Sequence, residues 1–516
     1  MKKYILFILL IAVKISTAQQ GINNNWLMGY SSFGGLPFGN TKFDFFNGIP
    51  IINYDSLEMD FRHTHANISD AQGNLLFYTN GYYIADASND TMQNGSGINP
   101  GAYADQFSDG FQIPQGALII RQPGSSSIYY MFHNTLDNHP VPGAYSLYFY
   151  LTTIDMSLNG GLGTVISKNQ ILLTDSMVTG KITACKHANG RDWWVMTHQI
   201  NTNKFFRFLV TTNNLILGPY SQNIGAIRPQ DAGQAWFSPD GSRFAYFYLN
   251  GGLDIFDFNR CTGQLSNPVH IAISFVGGYN VGLAFSPNSD VLYVSNVFYV
   301  YQFDLTAANI AASVQTVATY DGFMSVPPNC PTCPSLQTLF SNAGLAPDGK
   351  VYISTGNGTV HWHTIDNPDV VGMGCNVNQH SVQVPAYYFN TVPNHPNYFL
   401  ECDSTLGCLC APTVGLPTPQ PPKGGVAAMP NPSDGNFTLQ FDVKSMSGEL
   451  EIYDVMGKLV YKDYVSAWSQ FKRVSLTPRD EVGGLTPLQG LGLSGGIYNC
   501  ILKRGSEIER VKVIVN

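Results

Sequence analysis

The chain has 516 residues, of which 44% are hydrophobic and only 12% charged, with a formal net charge of −8. The apolar share is enough for a packed core and excludes a generally disordered chain. The acidity lies in the body, where residues 19–427 carry 14 Lys/Arg against 25 Asp/Glu while 428–516 carry ten of each, and an acidic body speaks against nucleic-acid binding, which needs cations to neutralise phosphates.

The first stretch, MKKYILFILLIAVKISTAQQ, has a basic start at Lys2 and Lys3 and an apolar run from Tyr4 to Val13. Small residues Ser16 and Ala18 precede a cut before Gln19, so residues 1–18 are expected to be a secretory signal cleaved between Ala18 and Gln19. No other stretch approaches the roughly 18 apolar residues of a membrane helix, so no transmembrane anchor is expected. Export to an oxidising compartment permits disulfides among the nine cysteines, leaves at least one unpaired within the chain, and does not fix their connectivity.

Within 19–427 the only glutamates are Glu58 and Glu401. The other acids are aspartates, a turn residue, and the chain holds 28 Tyr, 31 Phe and 51 Gly. Helix-surface residues are scarce, so the fold class is all-β. Six turn-centred segments recur: ISDAQGNLLFYTNG, QPGSSSIYYMFHN, KHANGRDWWVMTHQ, FSPDGSRFAYFYLNGGLDIFDF, FSPNSDVLYVSNVFYVYQFDL and LAPDGKVYISTGNGTVHWHTI. Their turns are marked by Gly73, Gly124, Gly190, Gly241, Ser289 and Gly349, in steps of 51, 66, 51, 48 and 60 residues. Each is a polar turn followed by an aromatic-rich strand. Sheets this small cannot bury both faces alone, and radial stacking buries them all. A single β-propeller is therefore expected over 19–403, with about seven blades, six or eight also fitting the spacing. Three hairpin-paired copies of the turn favour this over an array of sandwiches. The blade left unassigned is expected to close with strands from both ends, PAYYFNTVPNHPNYFL from Pro385 and the segment before Asp60. FSPDGSRFAYFY, FSPNSDVLYVSN and LAPDGKVYIS resemble the WD-repeat-like blades of TolB-type propellers. That resemblance implies a fold and no activity.

Candidate chemistry is sparse. His63 with His65, and His361 with His363, have i, i+2 spacing, which puts two imidazoles on one face of a strand. Zinc would need a third ligand and an open position, and no such pattern accompanies either pair, so no metal is expected. Asp60 beside His63 and His65 would support catalysis if all three met at the axial mouth. Cys330 and Cys333 have redox-motif spacing but sit in a Pro-rich loop, which points to a local disulfide. STGNGTVHW lacks the aspartate of a sialidase Asp-box. Asp240 and Asp348 sit in turns and are expected to cap them. In Asp192-Trp193-Trp194 at least one indole must face the core. No nucleophile elbow, phosphate loop or dinucleotide fingerprint is present, so no catalytic residue and no cofactor is assigned.

Residues 404–427, rich in Pro and Gly, read as a linker, with Cys402, Cys408 and Cys410 placed to pin the ring's exit. Beyond it, Phe437, Leu439, Phe441 and Val443 alternate with polar residues, the pattern of a half-buried strand. GELEIYDVMGKLVYK and GGIYNCILKRGSEIERVKVIVN follow, the latter a closing hairpin. The tail resembles the C-terminal sorting domain of type IX secretion in Bacteroidota through Pro430-Asn431-Pro432, Gly435, the turn Tyr453-Asp454-Val455-Met456-Gly457, Gly496-Ile497-Tyr498 and basic residues such as Lys512. The resemblance implies an immunoglobulin-like sandwich over 428–516 that is read by the secretion machinery. It also implies a product released from the cell or attached to its surface. SLTPRDEVGGLTPLQGLGLSGGIY is longer than the usual connection, an insertion expected to leave the flanking strands intact. The expected function is an exported surface propeller that binds a glycan or a surface protein without catalysis. The alternative is a secreted polysaccharide hydrolase or lyase with its site in the funnel.

Overall fold

A computed structural model describes residues 21–515 apart from 47, 140–143, 213, 230, 275–280, 357, 412–425, 430, 432, 434 and 477–495. The signal with its Ala18–Gln19 junction, Pro430, Pro432, most of the linker and the body of the insertion lie outside the described residues.

Seven antiparallel sheets of three or four strands follow one another along the body, with a two-stranded ribbon, Met324–Ser325 and Leu336–Gln337, between the last two. Blade 1 is Asn25–Tyr30, Gly39–Asp44 and Ile51–Asp55, and blade 2 is Ala66–Ser69, Leu75–Thr79 and Ile84–Asp86. Five four-stranded blades come next, spanning residues 117–177, 183–228, 235–271, 281–319 and 343–388. All six turn markers fall in the link between the first and second strand of blades 2 to 7. Their φ values are +81°, +79°, +76°, +73°, +67° and +80°, in order. This left-handed conformation closes a tight hairpin and favours glycine. Ser289 occupies it with a Cβ, and its hydroxyl accepts the Asp240 amide at 3.0 Å from the neighbouring blade's turn.

Period-two alternation makes each blade two-sided. In Arg243–Tyr248, Phe244, Tyr246 and Tyr248 pack toward blade 4, while Ala245 and Phe247 pack toward blade 6. The other interfaces follow suit, with apolar clusters joining blades 2, 3 and 4, blades 6 and 7, blades 7 and 1, and blades 1 and 2. The chain of clusters returns to its start, so the sheets form a closed seven-bladed β-propeller. Burying each large side chain there contributes about 1.5–3 kcal/mol. Between blades 4 and 5, Arg228 is fully buried, donates to Asp254 at 2.7 Å and lies over the Phe205, Tyr246 and Phe256 rings.

Closure departs from the expected arrangement. Blade 1 is built entirely from residues 25–55. Of the C-terminal stretch, Pro385–Tyr388 ends the outer strand of blade 7, and 389–400 forms no strand. Pro393 and Pro396 supply no ladder donor, and the segment turns into the axis instead.

Three disulfides are present: Cys330–Cys333, Cys402–Cys410 and Cys261–Cys408. The last ties blade 5 to the segment leaving the ring across 147 residues. Cys185, Cys375 and Cys500 are buried thiols.

The tail is a sandwich of two sheets. One holds Ala427–Met429, Asn436–Gln440 and Phe471–Ser475, and the other Gly448–Tyr453, Leu459–Val465, Gly496–Arg504 and Glu507–Val515. Leu439, Leu450, Ile452, Val474, Tyr498 and Val513 lie in the core between them. The strands flanking the insertion, Phe471–Ser475 and Gly496–Arg504, are both formed.

Candidate functional site

In a propeller the inner strand of every blade turns one edge toward the axis, where its amides and carbonyls need partners. Here residues 390–401 supply them. Asn394 donates from Nδ2 to the carbonyls of Ala117 and Ile182, at 2.8 and 2.9 Å, bridging blades 3 and 4. Its own amide donates to the His65 carbonyl, and the Thr391 hydroxyl to the His63 carbonyl. Asn397 donates to the Pro239 carbonyl at 2.6 Å and the Tyr398 hydroxyl to that of Ile119 at 2.8 Å. Two glutamines extend the pattern. Gln115 exchanges both hydrogen bonds with Ala235, and Gln234 accepts from the amides of Leu283 and Ala343. The segment runs parallel to residues 63–67 and covers the inner edges of blades 2 to 4.

The histidine pairs do not converge. Residues 61–65 form a bend rather than a strand, so the spacing of His63 and His65 puts no shared face between them. His65 lies 4.6 Å from the Phe61 ring, and burial holds its pKa well below the usual value. His63 is lowered to about 4, also chiefly by burial. Asp60 accepts the Ser31 amide at 2.6 Å, and its neighbour Arg62 pairs with Asp109. His361 and His363 share the strand Thr359–Ile365, each engaged by a neutral partner: Ser325 Oγ to His361 Nδ1 at 2.9 Å, and His363 Nε2 to the Thr338 carbonyl at 3.0 Å. Burial lowers both, His363 to about 3. Asp240 accepts the Ser242 amide and Asp348 the Lys350 amide, so both cap turns. Trp193 and Trp194 are each 4% exposed on opposite faces of one strand, so neither is a stacking platform. Asp192 pairs with Arg191 at 2.7 Å.

A site with no sequence signature lies between blades 1 and 2. Blade 2 ends on Ile84–Asp86, along which residues 90–95 bond, the Met92 amide donating to the Ile84 carbonyl and Thr91 bridging to Ala85, and a groove of about 500 Å³ runs between this blade and blade 1. In blade 1, Asn40 pairs with Asp55, Lys42 with Asn53 and Asp44 with Ile51. These pairs share one face, and Lys42, Asp44 and Asp55 line the groove, with Gln72, Asn89 and the partly exposed Phe46. The opposite face, with Phe43 and Ile52, packs on blade 7. Asp44 and Asp55 are four register steps apart, about 13 Å along the strand. That exceeds the separation of a glycosidic carboxylate pair.

In the tail, Asn431 works as a backbone surrogate. Its side chain donates to the Lys512 carbonyl and accepts the Ile514 amide, both at 2.8 Å, covering the edge of the last strand. An open edge of this kind would otherwise template pairing with another chain. Gly435, with φ +96°, turns the chain into the strand at Asn436. Asp454 accepts the amides of Met456 and Lys458, both at 2.9 Å, in a turn closed by Gly457 at φ +79°. Gly496 opens the strand on which Tyr498 enters the core. Asp454, Gly457, Arg510 and Lys512 border a surface groove of about 440 Å³.

No curated protein matches the sequence. Among solved structures, the chain is similar to a functionally unknown protein from Desulfotomaculum acetoxidans, with 14% identity, 72% of this chain and 99% of that one covered, and a TM-score of 0.41. It is also similar to the β-propeller domain of Cps50 (Swd1) from Myceliophteria thermophila, with 9% identity, 66% and 94% covered, and a TM-score of 0.36. A gluconolactonase from Xanthomonas campestris aligns at 10% identity, covering 65% and 94%, with a TM-score of 0.30. Residues 427–478 match the secretion system C-terminal sorting domain, a stretch that includes Asn431, Gly435, Asp454 and Gly457 and stops before Gly496, Tyr498 and Lys512. The tail is thus a type IX sorting domain, and the protein is exported to the cell surface or beyond.

Proposed function

We propose that this protein is an exported binding protein whose ring holds an extended glycan in the groove between blades 1 and 2. The observation that carries this reading is the groove's polar lining, set beside an axis where residues 390–401 take up inner-strand groups of blades 2 to 4 that a broad funnel site would use. The lateral groove instead offers an ammonium, two carboxylates and side-chain amides around an aromatic ring. That mixture suits hydroxyl-rich ligands, in which every polar contact needs a partner and ring faces pack on apolar carbon. The wide carboxylate separation favours binding over hydrolysis.

The test is a glycan array with the full chain, followed by calorimetry on Lys42→Ala and Asp55→Ala. Each replacement is expected to weaken the best ligand by about tenfold, the value of one charge-assisted hydrogen bond. An array with no ligand, undiminished affinity in both variants, or release of reducing ends from the bound glycan would each overturn the proposal.

A further inference from the structure

A second cavity lies on the axis, at the end of the ring where the turn markers cluster. It has a volume of about 110 Å³ and is walled by Trp236, Phe237, Phe285, Pro347, Pro396 and Phe399. An engineered apolar cavity of about 150 Å³ admits benzene, so this smaller space takes an aromatic ring only when part of its wall moves away. Three polar atoms on its lining are buried without partners: Asn23 Oδ1, Trp236 Nε1 and His395 Nδ1. A buried polar group left unpaired costs about 1–3 kcal/mol, and a ligand that satisfies it recovers that cost.

The remaining wall comes from the sorting domain. Trp468, in the loop between its strands Leu459–Val465 and Phe471–Ser475, lines the cavity and packs against the core of blades 4 and 5. The loop is buried for a connection, with Ala467 at 1%, Ser469 at 3% and Gln470 at 2% exposure. Connections normally lie on the surface. Trp468 itself has φ +61°, a left-handed conformation uncommon for a residue with a Cβ. Neighbouring contacts hold the same loop down. Ser466 and Ser469 face the blade 7 turn at Gly349, and Phe471 lies 6.2 Å from Phe46 of blade 1.

We propose that the axial cavity is a binding pocket for a hydroxyl-bearing aromatic ring of the tyrosyl type, and that the sorting domain closes it with Trp468. A phenolic hydroxyl can donate to Asn23 Oδ1 and accept from Trp236 Nε1, and the ring takes the aromatic and proline walls. While the tail is docked, the indole stands where such a ligand would enter.

The experiment uses the full chain with p-cresol as the probe and toluene as its hydroxyl-free counterpart, followed by calorimetry and by NMR of the tryptophan side chains. Trp468→Ala opens the pocket directly. Ser466→Arg pushes the loop off the Gly349 turn without touching the sandwich core, so the test survives if the first variant misfolds the tail. Both are expected to bind p-cresol saturably and at least about tenfold more tightly than the unaltered chain, with toluene weaker than p-cresol by a similar factor. Absence of saturable p-cresol binding in both variants, equal binding by the unaltered chain, or equal affinity for toluene would overturn the proposal.

Discussion

Acidification from pH 7 to pH 5 is expected to destabilise the ring by several kcal/mol. His65, His133, His198 and His363 are each no more than 1% exposed. Burial lowers the pKa of the last three to about 3 and that of His65 well below its usual 6.5. At His133 the ring nitrogens meet Asn99 Oδ1 at 2.7 Å and Thr152 Oγ1 at 2.8 Å, neutral groups that bring no countercharge to an imidazolium, so burial decides the direction. Unfolded, these imidazoles take a proton near pH 6.5, while folded His133, His198 and His363 stay neutral until about pH 3 and His65 until well below 6.5. Below pH 6.5 the unfolded chain therefore binds more protons. Stability is complete above that pH and falls as pH drops, by up to about 1.4 kcal/mol per pH unit for each group. Asp348 and Asp369, raised to about 6 by burial, act in the opposite sense below pH 6 and offset part of the loss. Urea unfolding at pH 7, 6 and 5 measures the slope, and His133→Gln should reduce it. A flat profile would show that these imidazoles are not held neutral.

Replacing Asn394 with Ala is expected to cost about 3–5 kcal/mol, a fall of roughly 5–10 °C in the unfolding midpoint. The carbonyls of Ala117 and Ile182 would each lose a donor, and Gln115 Nε2 an acceptor now 3.3 Å away. All of these groups are buried between blades, where water cannot replace the amide without opening the ring. A rim change such as Thr306→Ala, which removes an exposed bond to Asp304, should stay within about 0.5 kcal/mol. Calorimetry of the two variants separates an axial role from a general loss of polar contacts.

The ring was readable because its turns repeat a backbone requirement. Positive φ at Gly73, Gly124, Gly190, Gly241 and Gly349 leaves a residue type in the sequence, and the strands between them alternate. The tail's Asn431, Gly435, Asp454 and Gly457 were readable for the same reason, being turn and edge residues with few substitutes. The axial segment was not. Asn394, Gln115 and Gln234 act through side chains reaching backbone 49 to 277 residues away, and no local period records such partners. The pair His63 and His65 misled because i, i+2 spacing implies a shared face only in a strand, and the chain bends there. The groove between blades 1 and 2 joins Lys42, Asp44 and Asp55 to Gln72 and Asn89 of the next blade, a juxtaposition that no local pattern records.

Hydrogen exchange of residues 390–400, followed by mass spectrometry on the full chain, tests the sealed axis directly. A segment bonded to the inner edges of blades 2 to 4 should exchange only with global opening and remain protected for hours alongside Ala117–Arg121. Complete exchange within seconds, while those inner strands stay protected, would mean that the funnel is open and that its lining is free for another role.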